Sequence, residues 1–92
     1  MVTPAPRGRP RDVEYARMVA RRRALTDSFA RLREEVASSA AAVAQIEEAL
    51  AGTFELTARN VPRRAEQLLQ KAKVAREYAA LERARVRKYR DG

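Results

Sequence analysis

Between Val13 and Ala51 the chain contains neither proline nor glycine, and apolar side chains recur through it at heptad spacing. Tyr15 and Met18, then Leu25, Phe29 and Leu32, then Val36, Val43, Ile46 and Leu50 fall at alternating steps of three and four, with Arg22 and Ser39 as interruptions. Such a series predicts one long helix with a coiled-coil seam. Asp12 is placed to cap its N-terminus, and Glu14 suits the positive end of the helix dipole. Gly52 is a natural stop. The Ser38-Ser39 pair is its weakest point, and the sequence leaves open whether the helix kinks or breaks there.

A second helix is expected from about Val61 to Arg90, with Pro62 in its first turn and Asn60 or Val61 at the cap. Its seam reads Val61, Ala65, Leu68, Ala72, Ala75, Ala79, Glu82, Val86 and Tyr89. Glu82 is the one acid on it. Either it pairs with Arg22, Arg31 or Arg33 as a register device, or it leans into solvent. The organisation that follows is an extended basic arm over 1–11 and a helical hairpin over 12–92. The hairpin has a helix over about 13–51, a connection over 52–60 and a helix over about 61–90. Folded at that connection, Leu50 faces Val61, Val43 faces Leu68, Ser39 faces Ala72 and Arg22 faces Tyr89, so large residues mostly meet small ones. The expected fold class is all-α: an antiparallel two-helix coiled-coil hairpin. Leu69, Tyr78 and Leu81 lie beside the second seam, and Ala41 and Ala44 beside the first. They form a candidate protein interface, suited to dimerisation into a four-helix bundle.

Charge follows the same division. Residues 1–33 carry nine arginines against Asp12, Glu14 and Asp27. Residues 34–58 carry five glutamates and no lysine or arginine, and residues 59–92 carry eleven basic groups against four acids. In the expected hairpin both basic segments gather at the open end and the acidic one at the loop end.

The sharpest motif is Pro6-Arg7-Gly8-Arg9-Pro10, followed by Arg11. It resembles the AT-hook core, a short basic arm that lies in the minor groove of A·T-rich DNA. The resemblance covers about six residues. It implies that Gly8 lets the backbone approach the groove floor while Arg7 and Arg9 extend along it, where narrow grooves concentrate negative potential. Gly8 to Arg11 also looks like the minor-groove arms that precede helical DNA-binding domains in invertases and some repressors. Two further clusters are candidate phosphate contacts: Arg17, Arg21, Arg22 and Arg23, with Arg31 and Arg33 nearby, and Arg85, Arg87, Lys88 and Arg90, with Arg83 nearby. The bland alternative for both is a solvated coiled-coil flank. Tyr15, Tyr78 and Tyr89 are read as packing residues before base-stacking ones.

Chemistry has no obvious carrier. The chain has no cysteine and no histidine, so it lacks thiolate ligands and the commonest general base. Glu34-Glu35 and Glu47-Glu48 are adjacent pairs that diverge around a helix. No phosphate-cradling glycine loop is present. No enzyme activity, cofactor, metal or small-molecule substrate is expected. No apolar run approaches the ~20 residues of a membrane span, and no secretory signal is expected at the N-terminus. Alanine-rich seams without tryptophan also argue against a membrane-surface role. The expectation is a cytoplasmic, non-enzymatic protein that binds nucleic acid, DNA before RNA, together with a protein partner or a second copy. The alternative is a structural or adaptor component of a larger assembly, such as a phage particle or regulatory complex.

Overall fold

The computed structural model describes residues 10–91. It contains two α-helices, α1 (Pro10–Asn60) and α2 (Ala65–Asp91), joined by Val61 and a single 3-10 turn over Pro62–Arg64. No strand occurs among the described residues. The chain falls into two units, Met1–Leu32 and Arg33–Gly92, and α1 runs through both.

The first unit is described from residue 10 and is a single helical segment. Pro10 is tolerated in its first turn because N–H groups there have no intrahelical acceptor. Asp12 lies inside that turn, and so does not form the cap. Most of the expected arm over 1–11 lies outside the described residues, but Pro10 and Arg11 belong to the helix. Tyr15, Met18, Leu25, Phe29 and Leu32 are each more than half exposed.

The second unit is the antiparallel hairpin, and its connection differs from the expected one. Residues 52–60 are helical, and α1 ends only at Asn60. Glycine inside a helix costs about 1 kcal/mol. That penalty is outweighed here because Ala51 and Ala58, on either side of Gly52, are buried against α2. The true stop is Pro62, which lacks an N–H and disfavours helical geometry at the preceding residue. Val61 sits at φ −130° and ψ 77° and caps the 3-10 turn that begins with Pro62. The helix passes through Ser38-Ser39 without a break.

The longer α1 moves the register. Ala51 clusters with Ala72 and Ala75, and Phe54 packs beside them. Ala72 was expected opposite Ser39, so α1 has slid by about a dozen residues, more than three helical turns. The facing of Leu50 with Val61 and of Val43 with Leu68 is lost with it. The seam on α2 holds from Ala65 to Val86: Leu68, Ala72, Ala75 and Ala79 are buried and Ala65, Glu82 and Val86 are half-buried, while Val61 and Tyr89 at its expected ends are exposed. The seam on α1 is a different stripe. Ala37, Ala44, Ala51 and Ala58 recur every seventh residue, with Ala40 beside them, and all five are buried. Ala44, expected beside the seam, is fully buried in it. Val36, Val43, Ile46 and Leu50 are exposed. The core is therefore alanine against alanine, which lets two helix backbones approach closely.

Candidate nucleic-acid interface

Heptad letters order the second unit's surface. With Ala37, Ala44, Ala51 and Ala58 at a, the e positions of α1 hold Glu34, Ala41, Glu48 and Glu55. With Ala65, Ala72, Ala79 and Val86 at a, the e positions of α2 hold Leu69, Arg76, Arg83 and Arg90. In an antiparallel pair the e positions of the two helices share one edge. Arg76 grips Glu55 with two hydrogen bonds, from Nε at 3.2 Å to Oε2 and from Nη2 to Oε1. Arg83 Nε donates to Glu48 Oε1 at 2.9 Å. Arg90 donates from Nη2 to Glu34 Oε1 at 3.0 Å and from Nε to Oε2 at 3.4 Å. The hydrogen bond from Arg90 holds the Glu34 carboxyl below the ordinary glutamate range, and the charge of Arg90 and a bond from Ser38 add to it. Arg76 does the same to Glu55, whose carboxylate in turn raises Arg76.

These pairs correct the expected charge arrangement. The acidic stretch of α1 does not form a separate pole. It lies along α2 and takes up that helix's arginines. Arg90, expected near Arg21 and Arg22, holds Glu34. Arg85 Nη1 reaches Glu82 Oε1 at 3.4 Å within its own helix. Glu82 is thus paired within α2 and is not fully solvated. Its side chain is only 17% exposed. Of the four basic candidates on α2, Arg87 and Lys88 alone make no ion pair among the described residues.

The first unit presents the other candidates. Arg11, Arg17, Arg21, Arg22 and Arg23 are all exposed on α1. None of them forms an ion pair with a described residue. Arg17 and Arg21 stand one turn apart on one face, about 6 Å along the axis. Arg31 extends that face and bonds Ser28 Oγ at 3.5 Å. Arg7, Gly8 and Arg9 of the AT-hook-like arm lie outside the described residues.

The opposite edge of the hairpin, at the g positions, is apolar. Val36, Val43 and Leu50 line it on α1 and Lys71, Tyr78 and Arg85 on α2, with Val74 and Leu81 next to them. Lys71 Nζ sits 5.9 Å from the Phe54 ring centroid, a cation–π contact. Tyr78 and Leu81, named from sequence as interface residues, stand on this edge. Leu69 does not: it lies by the turn with Glu55, Ala58 and Arg59. Sequence reasoning missed the Glu34, Glu48 and Glu55 partners of Arg90, Arg83 and Arg76. Their signal was the seven-residue repeat of acids on one helix and arginines on the other.

No described helix is long and apolar enough to cross a membrane. Compared with protein-family models, curated proteins and solved structures, the chain matches none.

Proposed function

We propose that the chain is a non-enzymatic nucleic-acid-binding protein, DNA before RNA, whose contacts concentrate on α1 ahead of the hairpin. One observation carries this reading. Arg17, Arg21, Arg22 and Arg23 are exposed without carboxylate partners among the described residues, whereas Arg76, Arg83 and Arg90 are engaged by glutamates. Unpaired guanidinium groups bind phosphate without first breaking an ion pair, and each contact releases counterions from the nucleic acid. The AT-hook-like Arg7-Gly8-Arg9, just ahead in sequence, supplies the minor-groove arm. The part expected of Arg85 and Arg90 shrinks, and Arg87 and Lys88 remain as accessory contacts.

The test is binding to A·T-rich duplex, G·C-rich duplex and RNA across a salt series. A·T-rich DNA should bind tightest, with log affinity falling steeply in log salt, by about 0.9 per phosphate neutralised. Replacing Arg7 and Arg9 by alanine should erase the A·T preference. Binding that vanishes at modest salt for every nucleic acid would reject the proposal.

A second reading rests on a separate observation. The exposed stripe Tyr15, Met18, Leu25, Phe29 and Leu32 suits a helix that docks on protein. In that case the chain is an adaptor in a larger assembly, and one protein co-purifies with it after nuclease treatment.

A further inference from the structure

The large apolar residues of α1 form a heptad series of their own, but it flanks the contact with α2 rather than filling it. Val36, Val43, Ile46 and Leu50 occupy c and g, one position around the helix from the alanine seam. On α2 the same letters hold Val74, Tyr78 and Leu81, all exposed. Each helix of the hairpin thus carries two adjacent seams, a small one that is used and a large one that is not. A helix needs two seams when it packs against two neighbours.

We propose that a second copy of this chain covers the apolar edge, so that two hairpins form a four-helix bundle. Charge selects the occupant and its orientation. Beside this edge α1 carries Glu35 and Glu47 and no base, while α2 carries Lys71, Arg85 and Lys88 together with Glu77 and Glu82. Stacking α1 on its own copy opposes glutamates with no base between them. A two-fold axis running along the helices avoids this, because it lays α1 of one copy antiparallel on the base-bearing α2 of the other.

The register of the hairpin makes that arrangement fit. Leu50 lines a groove of about 330 Å³ with Val74 and Tyr78, and Val43 lines one of about 400 Å³ with Glu82 and Arg85. Leu50, Ile46 and Val43 therefore stand level with Val74, Tyr78 and Leu81. The two-fold keeps those levels and sets each apolar group on the other's counterpart. The same operation brings Glu35 level with Lys88 of the other copy. The interface uses no arginine of the 10–32 segment, so it stands or falls independently of nucleic-acid binding.

Sedimentation equilibrium of the full chain tests the idea. The expected mass is twice that of the chain at micromolar concentration. Ile46→Glu with Leu81→Glu, both at exposed positions, should weaken dimerisation by about tenfold or more while circular dichroism still shows the helices. A mixing experiment separates contacts between copies from contacts within one. The variants E35K/E47K and K71E/K88E each place like charges across the interface and should run as monomers. Mixed, they should form a heterodimer, since each exchanged acid set then meets a base set on the other copy. A wild-type chain that stays monomeric, a glutamate variant that still dimerises, or charge variants that do not pair on mixing would overturn the proposal.

Discussion

Arg90, one residue from the end of α2, holds Glu34 through two hydrogen bonds of 3.0 and 3.4 Å. Arg83 with Glu48 and Arg76 with Glu55 pair nearer the turn, one heptad apart on both helices, whereas Arg90 reaches past Ala41 to Glu34. The edge is acidic on one helix and cationic on the other at every pair. The pairs are exposed or only partly buried and so contribute little alone. A hairpin displaced by one heptad would lose pairs as well as packing, so together the three specify register.

That edge makes the hairpin sensitive to acid. Glu34 and Glu55 titrate below the ordinary glutamate value in the folded chain because arginines bond their ionised forms. A group whose folded pKa is depressed contributes stability above its unfolded value, about 4.3, and loses it as pH falls through the folded one. Thermal melts should therefore be flat from neutrality to about pH 5 and drop below about pH 4. Glu34→Gln with Glu55→Gln should melt lower at pH 7 and show a shallower acid drop. An unchanged acid profile in that variant would remove these two groups as the cause.

Gly52 sits inside α1, and a Cβ added there meets nothing within 4 Å. Its backbone is helical, so alanine adopts it without strain. Gly52→Ala should stabilise the chain by about 0.5–1 kcal/mol through helix propensity and a less free unfolded state. Chemical denaturation should show a higher midpoint with the same slope.

The alanine seam and the outer stripe respond oppositely to size. Ala44 is 0% exposed between the helices, so Ala44→Leu must push the backbones apart and should cost about 1–3 kcal/mol. Ile46 is 65% exposed. In a monomeric background such as Leu81→Glu, Ile46→Ala should change stability by less than about 0.5 kcal/mol. If Ile46→Ala were the costlier change there, the seam would be the large-residue stripe after all.

Much of this fold was legible, and the errors share one cause. The absence of proline and glycine over 13–51 points to the long helix, Pro62 marks the start of the second, and the alternation from Leu68 to Ala79 is the seam of α2; the turn, expected over 52–60, falls at 61–64 instead. On α1 two heptad series compete, one of large residues and one of alanines a position away. Ranking residues by hydrophobicity favours Val36, Val43 and Leu50. Close helix contact favours Ala37, Ala44 and Ala51. Alanine is weakly apolar and common on helix surfaces, so its repeat is nearly silent in one sequence. With the large-residue stripe facing inward, Gly52 reads as an end and the shorter register follows. The charges hold the correction, since Glu48 meets Arg83 and Glu55 meets Arg76 in the observed register. The candidate binding residues were legible as clusters, but which of them are neutralised depends on that register and could not be read before it.

The two groups of arginines should separate binding from stability. Replacing Arg17, Arg21, Arg22 and Arg23 by alanine removes exposed groups that have no ion-pair partner among the described residues. That variant should keep the wild-type melting midpoint, and alanine's helix propensity favours α1. Its affinity for duplex DNA should fall by orders of magnitude, and its salt slope should shrink by up to about 0.9 for each phosphate that an arginine no longer neutralises. Replacing Arg76 and Arg83 by alanine removes the same kind of charge from the ion-paired edge. There the partner glutamates are freed, so DNA affinity falls by long-range repulsion alone, with the salt slope nearly intact, while the melting midpoint drops. Anisotropy titrations at three salt concentrations and a thermal melt of each variant give both readouts. A salt slope that responds equally to the two sets would mean that phosphate binding is spread over the whole basic surface, and the 10–32 segment would lose its assigned role.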